Sequence, residues 1–339
     1  MRTALIGLGM VAGTYGDAIR NSRTVSLSKV HARSPEARAA FLAEWPDLNA
    51  VAAGTIEDIA ADPDIDFVIL ATPPDARADI VARMVEAGKP VLMEKPVERT
   101  LAAAAAIVET CEAAGLPLGI MLQHRARPAA ADLRRTAGSL GELLAVEINV
   151  PWWRPQSYYD APGRGSYARD GGGVLISQAI HTLDLAISLA GPVAEVSAMM
   201  STTGFHEMES EDFVTAGLRF ENGAVGQLFA STASFPGRGE TITFHHRAGS
   251  AHLDAGTVRI ERQDGTSDII GTSASSGAGA DPMAFTSDWH RFVIEDFAEA
   301  VRDGRPPMVP GRDALEVHRL IAALEASARA GAPVAPGDV

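Results

Sequence analysis

Residues 3–12 read TALIGLGMVA, and this stretch decides the fold of the first third of the chain. Its apolar start predicts a short buried strand, and the G-x-G-x-x-A pattern that follows predicts a tight turn into a helix. In such a turn the first glycine permits the bend, the second lets backbone approach a pyrophosphate, and the small third residue brings helix and strand together. The N–H groups at the helix N-terminus then face the phosphates. The pattern therefore predicts a dinucleotide-binding turn formed by Gly7, Gly9, Met10, Val11 and Ala12.

Beyond this turn, short apolar runs alternate with helical patterns as far as residue 122. Such alternation is typical of βαβ units and a parallel sheet. Strands that are apolar along their whole length fit a sheet that helices cover on both faces. We therefore expect an α/β, doubly wound Rossmann domain over residues 1–123. Strands are predicted at 4–6, 25–30, 66–70, 90–93 and 117–122, and helices at 10–21, 36–44, 76–87 and 100–114.

The pattern changes after residue 123, where partly alternating stretches follow one another with short turns. Alternation of period two predicts strands with one covered face, and their succession predicts an open, mostly antiparallel sheet. We therefore expect an α+β domain over residues 124–339. The Gly-, Ser- and Ala-rich residues 264–281 predict a mobile loop. Strands are predicted at 142–150, 193–202, 212–220, 224–231, 240–244 and 257–260, and helices at 129–136, 175–190, 285–302 and 314–329.

Composition excludes several classes of protein. The formal net charge of −14 argues against a nucleic-acid or anionic-membrane surface, because both need a basic footprint. No uninterrupted apolar run approaches the roughly 18 residues that span a bilayer, and the apolar start of the chain is too short for a signal peptide. The single cysteine, Cys111, cannot form an internal disulfide and is expected in a helix core. We expect a cytoplasmic protein without nucleic-acid or membrane partners.

The end of the second predicted strand bears on the choice of cofactor. An NAD-type fingerprint places an acidic residue there for the ribose 2′-hydroxyl, but this chain has His31-Ala32-Arg33-Ser34. Arg33 can stack on adenine and meet a 2′-phosphate that Ser34 hydrogen-bonds, which favours NADP over NAD. In the other interpretation Arg33 is a solvated cation and Ser34 only caps the next helix. The cofactor is therefore NADP or NAD, with the balance towards NADP.

The segment Glu94-Lys95-Pro96 follows a predicted strand, at the sheet edge where ligands bind in an open α/β fold. A partly desolvated lysine beside nicotinamide can exchange a proton with an alcohol. Glu94 can orient Lys95 or bind the nicotinamide ribose. Taken alone, however, the tripeptide fits a simple ion pair in a loop better.

A glycine run at residues 171–173 precedes a predicted helix that carries Ser177, Gln178, His181 and Asp184. Ser177 and His181 are four residues apart and share a helix face, while Gln178 and Asp184 flank His181 at three-residue spacing. A histidine in a helix is most often structural. The glycines argue for a site, since backbone without side chains lets a cofactor or substrate come close.

These motifs, with residues 71–74 (ATPP), 123–125 (QHR) and 326–329 (ASAR), resemble the Gfo/Idh/MocA family, the glucose–fructose oxidoreductase and inositol dehydrogenase group. The resemblance covers nearly the whole chain. It implies a Rossmann domain followed by a domain whose open sheet binds substrate and often mediates oligomerisation. It also implies an NAD(P)-dependent dehydrogenase or reductase that acts on a sugar, polyol or sugar derivative. An exposed antiparallel sheet fits a homodimer or homotetramer as well.

The resemblance also implies roles for single residues. Lys95 and His181 become the catalytic proton-transfer pair, with Asp184 holding the tautomer of His181. Many members carry Asp at the position of Ser177, and a serine hydroxyl is no base near neutral pH, so Ser177 is expected to bind substrate instead. Beyond the glycine turn, the expected cofactor contacts are Arg33, Ser34, Thr72, Pro73, Glu94 and Gln178.

Aromatic and arginine side chains crowd residues 152–170, before the glycine run. Tryptophan and tyrosine can stack on the apolar face of a sugar ring, and arginine can meet hydroxyls or a carboxylate. The alternative is that these residues pack domains or subunits together. The expected substrate contacts, together with Ser177, are His124, Tyr159 and Arg169.

Two other functions are open. A non-enzymatic NAD(P)-binding sensor can share this fold, although both Lys95 and His181 are retained here. A metal-dependent hydrolase needs ligands at suitable spacing, and the histidines at 181, 206, 245, 246 and 252 form neither an HExxH motif nor a Cys/His set. We therefore expect no metal.

Overall fold

The computed structural model describes residues 1–272, 277–279 and 285–339. It divides into two compact units. The first comprises Met1–Gln123 and Ser287–Leu315, and the second comprises His124–Thr286 and Glu316–Val339. A single break after residue 123 does not describe this division, because Ser287–Leu315 return to the first unit.

The first unit is built on a parallel sheet of six strands, in the order β3-β2-β1-β4-β5-β6. Strand Phe67–Leu70 is apolar and buried throughout, and Val91–Glu94 is buried and apolar up to its last residue, as expected for a sheet covered on both faces. The strand order reverses direction between β1 and β4, which is where ligands bind in such folds. The strands are β1 (Arg2–Ile6), β2 (Ser26–His31), β3 (Val51–Ala52), β4 (Phe67–Leu70), β5 (Val91–Glu94) and β6 (Leu118–Met121).

Helices connect these strands in the βαβ manner that the alternation predicted. Two of them begin at side-chain caps: the Ser34 hydroxyl accepts the N–H of Ala37 at 3.1 Å, and the Thr100 hydroxyl accepts that of Ala103 at 3.2 Å. Such caps satisfy N–H groups that have no partner inside the helix. The helices are α1 (Ala12–Arg20), α2 (Pro35–Glu44), α3 (Glu57–Ala60), α4 (Arg77–Glu86) and α5 (Leu101–Ala113).

The second unit contains an eight-stranded sheet in the order β14-β13-β12-β11-β7-β10-β9-β8. All neighbours are antiparallel except β7 and β10, which run parallel. Burial alternates along most strands, so one face of the sheet forms the core. The strands are β7 (Leu143–Pro151), β8 (Val193–Ser201), β9 (Phe213–Phe220), β10 (Val225–Ser231), β11 (Thr241–His246), β12 (Gly249–Asp254), β13 (Thr257–Arg262) and β14 (Ser267–Gly271).

The remaining helices follow in chain order. A π-helical turn, Leu175–Ala179, leads directly into α9, and such turns occur often at functional sites. The helices are α6 (Pro128–Ala137), α7 (Gln156–Tyr159), α8 (Tyr167–Asp170), α9 (Ile180–Ala190), α10 (Asp288–Asp303) and α11 (Gly311–Ala330).

The predicted fold class, a Rossmann sheet followed by an α+β part with a mostly antiparallel sheet, is confirmed. Two details were wrong. Residues 264–281 were predicted as a loop, yet β14 lies within them and pairs with β13, because Ile269 and Ile270 supply strand-forming side chains. The rest of that predicted loop includes residues 273–276 and 280–281, which lie outside the described residues.

The second difference concerns α10, which was assigned to the second domain. Its Phe297 is fully buried, and its ring centroid lies 5.4 Å from that of Phe67 in β4. A Cβ on Gly119 of β6 would come within 2.6 Å of the Phe297 ring, so the glycine makes room for this side chain. Helix α10 therefore belongs to the core of the first unit.

One stretch of the described chain has the length and hydropathy of a membrane span, although polar residues interrupt its apolar runs. It is Tyr167–Ala190, with a mean hydropathy of 1.4 in its most apolar window. That window is 78% buried inside the protein, as is usual for the core helix of a globular unit.

Candidate functional site

The glycine turn lies between β1 and α1, and its two glycines have different surroundings. Gly7 has a φ of +102°, and a Cβ there would lie 2.6 Å from the carbonyl carbon of Ala71. At Gly9 a Cβ would meet no atom of the described chain within 4 Å. The fold itself therefore requires the first glycine, while the second borders open space, as a phosphate-binding turn demands.

Two further features of this region fit a dinucleotide. The first N–H groups of α1 have no partner inside the helix, and the neighbouring Met10 is 53% exposed. The Thr72 hydroxyl oxygen is buried and has no hydrogen-bond partner within the described part of the chain. Buried polar atoms without a hydrogen-bond partner are rare in proteins, because leaving them unsatisfied costs free energy. A ligand atom that bonds to the Thr72 hydroxyl would remove this cost.

Arg77, which the sequence interpretation missed, ties the two predicted cofactor loops together. It is 2% exposed. Its guanidinium donates to the carbonyl of Thr72 from Nε at 3.0 Å and Nη2 at 2.8 Å, and to that of Glu94 from Nη1 at 2.5 Å. It also donates to the Pro96 carbonyl. The chain after β4 and the chain after β5 are thus held by one side chain.

Behind Lys95 lies a buried polar cluster. The Tyr15 hydroxyl donates to Oε1 of Glu94 at 2.9 Å, and Nε2 of His290 lies 4.0 Å from the same oxygen. The rings of Tyr15 and His290 meet edge to face, with centroids 5.7 Å apart. Oε2 of Glu94 accepts the N–H of Lys95 at 3.1 Å. Helices α1 and α10 therefore fix the carboxylate that precedes the lysine.

The protonation of this cluster follows from its burial. Burial raises the pKa of the Glu94 carboxyl, while the Lys95 ammonium opposes that shift. Burial first, and then the Lys95 ammonium, lowers the pKa of His290 to about 3. His290 is therefore neutral at physiological pH and adds no competing positive charge beside the lysine.

The residues that bear on cofactor choice lie after β2. Arg33 and Ser34 are both exposed there. The Ser34 hydroxyl caps α2 and donates to Oε2 of Glu36 at 2.6 Å, which lowers the pKa of that carboxyl. Ser34 thus has the capping role that the sequence left open, and Arg33 remains the cation available at the strand end.

In the second unit the structure brings together two predicted site histidines. His124 is 3% and His181 is 7% exposed, and their ring centroids lie 5.0 Å apart. Nη2 of Arg127 lies 2.5 Å from Nε2 of His124. Because a guanidinium only donates, Nε2 accepts, and the proton of the neutral His124 ring is on Nδ1.

Arg127 is in turn held by a buried acid. It pairs with Glu240 at 2.5 Å, and the indole N–H of Trp152 donates to the other oxygen of that carboxylate at 3.1 Å. Arg127 and Glu240 are each 2% exposed. No sequence pattern predicts this pairing, because Arg127 and Glu240 are more than a hundred residues apart.

Asp184, expected to hold the His181 tautomer, makes a bidentate ion pair with Arg125. Nε donates to Oδ2 at 2.8 Å and Nη2 to Oδ1 at 2.6 Å. Asp184 is completely buried. This ion pair anchors α9 to the segment that carries His124.

The other predicted residues of this unit differ in exposure. Gln178 is buried with Nε2 3.5 Å from the Tyr158 hydroxyl, and Ser177 is half-buried. Tyr159 is buried, and its hydroxyl oxygen lies 2.8 Å from that of Thr232. Arg169 is half-exposed and pairs with Asp170 at 3.7 Å.

Each unit therefore assembles its own part of the predicted site. The first brings together the glycine turn, Thr72 and the Glu94–Lys95 strand end, and the second brings together His124 and His181. Among the described residues, no group of three His, Cys, Asp or Glu side chains is placed to hold a metal ion.

Comparison with known proteins agrees with this architecture. Residues 1–121 match the model of an oxidoreductase family with an NAD-binding Rossmann fold, and residues 131–252 match the GFO/IDH/MocA C-terminal domain. The myo-inositol dehydrogenase of Streptomyces leeuwenhoekii is 28% identical over 354 residues, which cover 99% of this chain and all of that protein.

Two further proteins are similar to this chain. The D-apiose dehydrogenase of Paraburkholderia graminis is 28% identical over 286 residues, which cover 80% of this chain and 72% of that one. The WlbA dehydrogenase of Bordetella pertussis, solved with NADH and UDP-GlcNAcA, superposes with a TM-score of 0.81 at 27% identity, covering 99% and 98% of the two chains. The chain therefore belongs to the Gfo/Idh/MocA family of NAD(P)-dependent oxidoreductases.

Proposed function

We propose that this protein transfers a hydride between C4 of a nicotinamide cofactor and a secondary alcohol or ketone carbon of a sugar, polyol or sugar derivative. The observation that carries the proposal is the Lys95 site. The lysine follows a buried carboxylate at the carboxyl end of β5, and the neutral His290 lies close by. A lysine among such groups can exchange a proton with the substrate oxygen as the C–H bond breaks or forms.

In the oxidation direction, the hydride leaves the carbinol carbon and the hydroxyl proton passes to the protein, so that a ketone remains. The nicotinamide supplies the hydride chemistry when bound. Lys95 and His181 share the proton, and His124, Ser177, Arg169 and Tyr159 contact the substrate. Residues 1–123 with Ser287–Leu315 bind the dinucleotide, and the second unit binds substrate and mediates oligomerisation.

The relatives support this substrate class. Two of them are dehydrogenases of myo-inositol and D-apiose, and the WlbA dehydrogenase was solved with a nucleotide sugar. All three ligands carry secondary hydroxyl groups on a carbon skeleton. A hydroxyl-rich substrate also fits the polar and aromatic side chains of residues 152–170.

For the cofactor, we propose contacts from the glycine turn, Thr72, Pro73, Glu94, Gln178 and Arg33. Arg33 favours NADP, because its exposed guanidinium can pair with a 2′-phosphate. Titration of nicotinamide fluorescence with NADPH and NADH tests this preference, with Arg33→Ala as the matched variant. Equal affinity of the wild-type protein for both cofactors would refute the preference for NADP.

We further propose a cytoplasmic homodimer or homotetramer. The exposed face of the eight-stranded sheet is the surface that a second copy would cover. Light scattering of the purified protein measures the oligomeric mass, and a monomer would contradict this part of the proposal.

The decisive experiment is a screen of sugars, sugar acids and inositols, followed at the absorbance of reduced nicotinamide with both cofactors. Lys95→Ala should keep dinucleotide affinity and lose most turnover, by about 10²–10⁴-fold for a lost acid–base group. The control is Lys29→Ala, whose ion pair with Asp62 lies away from the strand end of β5. Cofactor binding without turnover on any compound would instead indicate a dinucleotide-binding sensor.

A further inference from the structure

We propose that Glu211 is a positioning residue for His181, because it holds three successive N–H groups at the start of the helical segment that carries this histidine. Glu211 lies two residues before β9 and is 4% exposed. The inference rests on the proposed function, since it assigns Glu211 to the same proton-transfer site.

The contacts form a continuous clamp. Oε2 of Glu211 accepts the N–H of Gly173 at 3.0 Å, and Oε1 accepts that of Leu175 at 3.0 Å. The main-chain carbonyl of Glu211 accepts the N–H of Val174, between them, at 2.9 Å. These are N–H groups that a helix cannot satisfy by itself, and a carboxylate at this end also meets the favourable end of the helix dipole.

Gly173 is fitted to this clamp. A Cβ on that residue would lie 1.8 Å from the main-chain oxygen of Glu211, so any side chain there would force the two segments apart. Packing inside the second unit therefore requires glycine at position 173. The glycine lets the backbone approach Glu211, in addition to any approach by a ligand.

The clamp is connected to the histidine through one helical segment. The N–H of Ser177 donates to the carbonyl of Gly173 at 3.1 Å, and the π-helical turn Leu175–Ala179 continues into α9, where His181 is the second residue. A π-helical turn has looser hydrogen bonding than an α-helix, so its geometry depends more on contacts outside the helix. A shift at its start then changes the position of the imidazole.

The environment of Glu211 makes its charge responsive to pH. It borders a cavity of about 250 Å³, which is also lined by Glu325 and Arg329 of α11, Tyr167 of α8 and the nearby Glu209. Burial, helped by the charge of Glu325, raises the pKa of Glu211 to about 7, although its backbone hydrogen bonds oppose the shift. Glu325 is itself paired with Arg329 at 3.6 Å.

The protonated acid makes a weaker clamp. An ionised carboxylate accepts at both oxygens, whereas a protonated one carries a hydrogen on one of them and loses an acceptor. One of the two side-chain bonds is therefore lost as the pH falls through about 7. The wild-type protein should show this directly, because the amide signals of Gly173 and Leu175 in NMR spectra should titrate near that pH.

The test combines this titration with two variants, Glu211→Gln and Glu211→Asp, and histidine-selective ¹⁵N spectra in which His181 is assigned by substitution. Glu211→Gln replaces one acceptor oxygen by an NH2 group, and Glu211→Asp withdraws both oxygens by the length of one methylene, so each variant weakens the contacts to Gly173 and Leu175 and the ring signals of His181 should shift. We expect kcat to fall about 10- to 100-fold, as for a reacting group displaced by a fraction of an ångström to an ångström. Dinucleotide affinity should fall by less than kcat does, because the glycine turn, Thr72 and Glu94 lie in the first unit and only Gln178, of the proposed cofactor contacts, lies in the clamped segment.

Glu209→Gln is the matched control. Glu209 borders the same cavity and accepts one N–H, that of Tyr167 at 3.2 Å, but touches none of the three clamped groups. Unshifted His181 signals in a folded Glu211→Gln protein would overturn the proposal. If neither variant folds, wild-type Gly173, Val174 and Leu175 amides that exchange with solvent as fast as unprotected amides would overturn it, because the clamp holds these three N–H groups. These spectra need no turnover, so a failure of the dehydrogenase assignment is a separate result.

Discussion

Gly7 and Gly9 stand two residues apart in one turn, yet the protein needs them for different reasons. Gly7 is required by the fold, since its backbone has a positive φ and a Cβ would strike the chain after β4. Gly9 has open space beside it, so the described chain places no steric limit there. The fold therefore requires glycine at position 7, whereas glycine at position 9 leaves space for a ligand.

The corresponding prediction compares Gly7→Ala with Gly9→Ala. Gly7→Ala should lower the free energy of unfolding by at least about 2 kcal/mol, because strain and clash add. Gly9→Ala should change it by less than about 0.5 kcal/mol, yet weaken dinucleotide binding by about tenfold or more, equal to about 1.4 kcal/mol. Urea unfolding and fluorescence titration measure the two quantities. Unchanged affinity in Gly9→Ala would contradict the placement of phosphates at this turn.

Sequence reasoning found the residues that carry a motif and missed those that support them. Gly7, Lys95 and His181 lie in recognisable patterns. Arg77 lies in a predicted helix without any special pattern, and it binds main-chain carbonyls, which every residue possesses. Such a contact leaves no trace in the residue types of its acceptors, so only coordinates reveal it.

At the scale of elements, α9 is fastened from two sides. Glu211 holds the turn before it, and the Arg125–Asp184 ion pair holds its first turns. The sequence predicted the helix from its apolar spacing and placed Asp184 beside His181, but it did not indicate that Arg125 would bind that acid bidentately. The pairing depends on the fold, because 59 residues separate the two side chains.

Loss of the Arg125 guanidinium would leave a buried carboxylate without its bidentate cation. Arg125→Ala should therefore lower the free energy of unfolding by about 3–5 kcal/mol. The control is Arg135→Ala, which removes an ion pair to Asp132 from a side chain that is 76% exposed, and its effect should stay below about 1 kcal/mol. Chemical unfolding followed by circular dichroism compares the variants, and equal losses would refute the role of Arg125.

Helix α10 shows that a sequence pattern can predict a helix without predicting the sheet against which the helix packs. The apolar spacing of residues 285–302 predicted a helix, and the structure has one at Asp288–Asp303. Periodicity identifies the face that is buried but does not identify the sheet that buries it. The helix was therefore assigned to the domain beside it in sequence, although Phe297 and His290 lie in the first unit.

At the scale of the molecule, this return of the chain makes the first unit discontinuous. A fragment of residues 1–123 would lack Phe297, which fills the space beside Gly119, and His290, which packs on Tyr15. Removal of a core aromatic alone costs about 3–5 kcal/mol, a large share of the stability of a domain. We expect the fragment not to fold by itself.

The reactivity of Cys111, the single cysteine, can be used to measure whether the fragment folds. Cys111 is 1% exposed in α5, and burial raises its pKa to about 11, so that the reactive thiolate is scarce at pH 8. The full chain should react with a thiol reagent at least about a hundredfold more slowly than the fragment or the chain in denaturant. Rapid labelling of the native full chain would contradict the placement of Cys111, and a protected fragment would show that residues 1–123 suffice.

Because the first unit is formed by two separate segments of the chain, it cannot be completed until late in synthesis on the ribosome. A nascent chain that has emerged as far as Gln123 holds every strand of the parallel sheet and the whole glycine turn, but not the helix that seals one side of it. That helix emerges only after the eight-stranded sheet has been synthesised. During that interval the apolar surface around Phe67 and Gly119 faces solvent, which makes the unfinished protein a substrate for chaperones long before it is an enzyme.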